Sequence, residues 1–122
     1  MRHLVADQTV TLHALRYNGD TDTDTEICTT LTGVSWYEAV QAAPSSNGLV
    51  SSSLYKIRIF EDQLTEYLPF MDWRKLTEGE RQSFWTIALG DKLSHGGTTV
   101  TIIAIHDNRA SRRNPHLYLE AK

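Results

Sequence analysis

The side chains able to do chemistry in this chain fall into an acidic run, a basic run and scattered histidines. Asp20, Asp22 and Asp24 occupy alternate positions, with Glu26 next in the series. That spacing opens like a calcium loop, which also needs glycine at its sixth position and a bidentate glutamate at its twelfth. Thr25 and Leu31 stand there instead, so the motif fails. In an extended chain the alternation puts all three aspartates on one side, and the run reads as an exposed loop or hairpin tip. Arg109, Arg112 and Arg113 are the basic counterpart. Guanidinium groups gathered on one hairpin tip suit phosphate or a partner's carboxylates. Loops of opposite sign in one chain suit contact between copies.

The remaining reactive residues assemble no site. His3, His13, His95, His106 and His116 form no HxH or HxxxH pair, the spacings that suit a metal on a strand or helix. His106 and His116 flank the last expected hairpin and are expected to meet across it as a structural contact. A single cysteine, Cys28, excludes an intramolecular disulfide and a cysteine-based zinc cluster. It reads as a small buried apolar residue in a strand. There is no Gly-x-Ser-x-Gly elbow, and Gly96-Gly97 is too short to cradle phosphate. Glu78 and Glu80, beside Lys75 and Arg81, read as a solvated helix face, and Asp91 after Gly90 as a turn former. The expectation is a protein that is not an enzyme, with no catalytic residues, cofactor or metal.

The elements that must position these residues are mostly strands. Residues 10–17 (VTLHALRY), 27–32, 34–38 (VSWYE), 54–60 (LYKIRIF), 98–106 (TTVTIIAIH) and 116–120 (HLYLE) alternate with period two or are rich in β-branched residues, the pattern of half-buried strands. Gly33 marks an expected bulge. In residues 98–106 both faces are apolar, which suggests a central strand or an inter-subunit surface. A helical turn over 39–43, broken by Pro44-Ser45-Ser46-Asn47-Gly48, is expected next to the loop-like stretch. Thr77 and Glu80 have the spacing of a capping box and predict one short helix. Trp73, Leu76, Phe84 and Trp85 are expected to cover part of the core. The fold class is therefore mainly β: a small antiparallel barrel or sandwich of about six or seven strands with one short helix.

The bulk properties agree. The chain has 122 residues, 40% of them hydrophobic, enough for one modest core and a single domain over 1–122. A net charge of −3 argues against a free-standing nucleic-acid binder, whose affinity comes from phosphate neutralisation. The N-terminal residues lack the apolar run of a signal peptide. No stretch approaches the roughly 18–20 apolar residues of a membrane helix, so a soluble protein with no membrane contact is expected.

Four ordered segments carry a resemblance. Leu31-Thr32-Gly33-Val34-Ser35-Trp36-Tyr37 follows the first hairpin, and Gly48-Leu49-Val50 leads into the strand at 54–60. Residues 86–96 (TIALGDKLSHG) precede the strand at 100–105, and Asp107-Asn108-Arg109 with His116-Leu117-Tyr118 closes the chain. Together they resemble small minor structural proteins encoded by tailed bacteriophages and prophages of Gram-positive bacteria. The layout is similar to head-completion, or stopper, proteins of the head–tail connector. Residues 61–84, richer in tryptophan and charge, depart from that layout.

The resemblance implies a barrel-like ring subunit in the virion neck, made in the host bacterial cytoplasm. Its partners would be other copies, portal or adaptor and tail proteins, and double-stranded DNA that passes without specific binding. A ring that lets DNA slide should repel phosphate, which would set Asp20, Asp22, Asp24 and Glu26 near the channel. Arg109, Arg112 and Arg113 would then meet a neighbouring subunit or ring. A tail terminator or other neck protein is the nearest alternative. The alternative of another class is an OB-like nucleic-acid or protein binding module using Tyr55, Lys56 and Arg58, although alternation sends Tyr55 to the opposite face from the two bases.

Overall fold

The computed structural model describes residues 7–18, 21–45 and 48–122, with side chains for 7–17, 21–40 and 53–122. Period-two alternation turns Val10, Leu12 and Ala14 inward on β1 (Gln8–Asn18), each 5% exposed or less. β2 (Thr23–Ser45) and β3 (Gly48–Phe60) complete a first meander. A second meander holds β4 (Lys92–His95), β5 (Thr98–Asn108) and β6 (His116–Ala121). β3 pairs with β6 and β1 with β4, so the two meanders close into an antiparallel barrel in the order β1-β2-β3-β6-β5-β4. Leu12, Leu31, Val34, Ile57, Ile59, Leu93, Ile102, Leu117 and Leu119 fill it. Burying each such side chain contributes about 1.5–3 kcal/mol.

Two bulges bend the walls. β2 pairs with β1 through Val34 and with β3 from Ser35 onward. At that corner the register slips between Gln8 and Val10, and Gly33 takes a φ of 61°. The bulge expected at Gly33 is thus present, in a conformation that a Cβ would strain. β5 likewise leaves β4 after Thr101 and joins β6, with a slip between Ile102 and Ala104. Val100 and Ile102 face inward before the slip, Ile105 packs on the core after it, and Ile103 is left exposed. The doubly apolar pattern of residues 98–106 records this shift of face.

Three local expectations fail. Residues 39–43 are not a helical turn: β2 runs on to Ser45, paired with β3 from Ala39 opposite Leu54 to Ser45 opposite Gly48. Among the described residues no third strand flanks this ribbon, so the missing N–H of Pro44 breaks no sheet interior. Ser46 and Asn47 lie outside the described residues. Lys92–His95, absent from the expected strands, is β4, and Gly96 and Gly97, with φ of 52° and 86°, form the two-residue turn into β5. Two short helices stand where one was expected, α1 (Phe70–Trp73) and α2 (Glu78–Arg81).

Because every neighbour is antiparallel, the end of β1, the end of β3, the start of β4 and the β5–β6 loop share one end of the barrel. Residues 61–91 begin and finish there, and their Leu64, Tyr67, Trp73 and Ile87 are buried as a lid. The α2 capping box forms as expected: Glu80 N donates to Thr77 Oγ1 at 3.3 Å and Thr77 N to Glu80 Oε1 at 3.0 Å. The β2–β3 ribbon leaves from the opposite end. Among the described residues no helix is long and apolar enough to cross a membrane.

Candidate functional site

The lidded end gathers the chemistry. Asp22 sits in the β1–β2 turn with a φ of 54°, and its Oδ1 accepts from the Tyr17 hydroxyl at 2.6 Å. That hydrogen bond pushes the Tyr17 phenol above its ordinary pKa, helped by desolvation and by the charge of Asp24. Asp24 pairs with Tyr17 and Glu26 with Leu15, so both carboxylates point outward on β2. The acidic run is therefore partly strand, and exposed throughout its described part. Asp20 lies outside the described residues.

The three arginines of the β5–β6 loop divide into two kinds. Arg109 grips Asp107 through Nε at 2.9 Å and Nη2 at 2.8 Å, and lies 5.1 Å above the Tyr67 ring. It fastens the loop to the lid. Its hydrogen bond holds the Asp107 carboxyl below the usual aspartate range. Arg112 and Arg113 are exposed. The acidic and basic tips share one end of the barrel.

Beneath the rim, barrel and lid are joined by a buried ion pair. Alternation carries Arg16 inward on β1, where Nη1 and Nη2 donate to Asp91 Oδ1 at 2.8 Å and Oδ2 at 2.5 Å. Asp91 Oδ2 also accepts the Ala88 N–H at 2.8 Å. Phe70 and Trp73 stack on the guanidinium at 5.3 Å and 5.7 Å. Asp91 was read as a turn former; it is the anchor of the lid. Beside the pair lies a cavity of about 500 Å³ bordered by Leu12, Ala14, Ile27, Trp73, Phe84 and Thr86. The Thr86 hydroxyl is buried without a hydrogen-bond partner among the described residues. Charged side chains, Arg16, Glu66, Glu78 and Arg81, share the lining with these apolar ones; Arg81 is engaged with Glu78 at 2.7 Å and the Arg74 carbonyl at 2.6 Å.

On the outer wall of β1 and β2, His13, Glu26 and Cys28 come together. His13 Nδ1 lies 3.4 Å from Glu26 Oε1 and 3.5 Å from Cys28 Sγ. Cys28 is exposed rather than buried, because it is the cross-strand partner of outward-facing His13. The expected meeting of His106 and His116 does not occur. β5–β6 register sets His106 opposite Tyr118, on which it stacks at 5.6 Å, and His116 opposite Asn108, with its ring 6.0 Å from Phe60.

Reading the sequence alone misses both the Arg16–Asp91 pair and the His13 cluster. Arg16 did carry a signal: it shares the inward parity of Val10, Leu12 and Ala14. The cluster depends on hairpin register, which needs the turn length. A family profile described as a family of unknown function (DUF6751) matches residues 5–122. No curated protein and no solved structure matches the chain.

Proposed function

Since the chain belongs to this family of unknown function, we propose its role from its own geometry: a ring-forming structural subunit of the neck of a tailed-phage virion, of the head-completion or stopper kind. The observation that carries the reading is the polarity of the barrel. One end is lidded and charged, with Asp22, Asp24, Glu26, Arg112 and Arg113 on its loops and strand ends. From the other end projects a long two-strand ribbon without flanking strands among the described residues. A hairpin with two open edges is marginal alone in water and gains from a neighbour against which to pack. Acidic groups on the rim would keep passing DNA from sticking, and exposed arginines would pair with the next copy's carboxylates.

Localising the labelled chain in purified particles tests the reading. Density or label at the neck is expected; absence from the particles overturns it. Particles carrying Asp22→Asn, Asp24→Asn and Glu26→Gln together should retain or eject their DNA differently from the parent. Unchanged retention removes the acidic groups from the channel. Arg112→Glu with Arg113→Glu should block assembly while leaving the circular dichroism of the isolated chain unaltered.

A further inference from the structure

We propose that His13, Glu26 and Cys28 form a binding site for a zinc-class divalent transition-metal ion on the outer wall of the barrel. The inference is independent of the role in a virion. The β1–β2 register sets His13 directly opposite Cys28, and Glu26 lies two residues before Cys28 on the same face. The three candidate donor atoms form a closed triangle: 3.4 Å from Nδ1 to Oε1, 3.5 Å from Nδ1 to Sγ, and 3.8 Å from Sγ to Oε1. Tetrahedral zinc, with bonds of about 2.3 Å to sulfur and about 2.0–2.2 Å to nitrogen and oxygen, holds its donor atoms about 3.3–3.7 Å apart. The triangle needs adjustments of a few tenths of an ångström to meet that requirement.

A second feature points the same way. The other ring nitrogen of His13, Nε2, lies 3.0 Å from the Ser94 hydroxyl on β4. Ser94 accepting the Nε2 proton leaves the Nδ1 lone pair aimed at Glu26 and Cys28. An outer partner on the far ring nitrogen is what orients a metal-binding histidine. The charges are also suitable. Glu26 and a Cys28 thiolate together balance a dication, and Asp24 lies two residues away on the same face. Lys92, the β4 neighbour of His13, is turned toward Thr101 Oγ1 at 3.3 Å. Thiolate and imidazole select zinc, cobalt or copper over magnesium and calcium. Exposure of the site leaves a fourth position for water.

Cobalt(II) and zinc(II) titrations of the full, reduced, metal-stripped chain test the site. One equivalent of cobalt should give a thiolate-to-metal charge-transfer band that zinc then bleaches. Cys28→Ser or Cys28→Ala should abolish the band. His13→Ala and Glu26→Gln should each weaken binding at least tenfold, and Ser94→Ala by about tenfold or more. Saturating zinc should raise Tm by roughly 5 °C or more, because the ion binds only the paired strands. His95→Ala, His106→Ala and His116→Ala should change none of these readings. His13, Glu26, Cys28 and Ser94 lie on the barrel's outer face, and far-ultraviolet circular dichroism verifies each fold. No thiolate band, a band that survives Cys28→Ser, or binding that follows another histidine overturns the proposal.

Discussion

Arg16 and Asp91 show how strongly one pair can be committed. Both are over nine-tenths buried, so each charge has given up water and depends on the other. Removing one partner from such a pair costs about 3–5 kcal/mol, whereas replacing both with apolar groups is often neutral. Urea unfolding should therefore find Asp91→Ala destabilised by about 3–5 kcal/mol, with the Arg16→Met, Asp91→Leu double variant recovering most of it. Loss in the double variant as large as in the single one would show the lid relying on the Ala88 hydrogen bond instead. Asp107 and Arg109 are a milder case, since their side chains are 40% and 36% exposed and such pairs contribute about 0–1 kcal/mol. Arg109 depresses the Asp107 pKa, so the pair's contribution is present at neutral pH. It fades as pH falls below the ordinary aspartate value and through the lowered one. An NMR titration should find that low midpoint and see it rise toward the ordinary range in Arg109→Ala.

At the scale of elements, the barrel corners carry the instruction. Gly33 lets one 23-residue strand serve two sheets. Gly33→Ala should cost about 1–2 kcal/mol for a left-handed non-glycine residue, and Gly33→Asn less, as read by shifts in the urea midpoint. Equal stability in all three would mean that the corner had moved to another residue. The corner was legible because a lone glycine in a strand pattern has few other uses, and the capping box because Thr77 and Glu80 interact only with each other's turn. The ribbon and β4 were not. Residues 39–45 are rich in alanine, with serine and proline, and Lys92–His95 is short and polar. Local propensity there is weak, and pairing with distant strands decides the outcome. The same limit applied to the His13 cluster and to Asp91, whose partners lie on other elements.

For the whole molecule, the question is which part exists for the barrel and which for something outside it. β3 meets β6 only from Tyr55 onward, and β1 meets β2 only up to Val34. Residues 40–53 therefore pair only with one another and contribute no wall to the barrel. Replacing 40–53 with Asn-Gly, so that the Ala39–Leu54 pair closes a tight hairpin, should leave the barrel folded, with Tm within a few degrees of the parent and the β3–β6 amides equally protected from exchange. If the ribbon is the assembly element of a neck ring, the shortened chain should fail to enter particles that lack the full-length protein. Rim variants Arg112→Glu and Arg113→Glu should fail as well, by a separate contact. A shortened chain that enters particles normally would leave the charged rim as the assembly surface. A shortened chain that unfolds would show that the ribbon stabilises the barrel despite adding no strand to its wall.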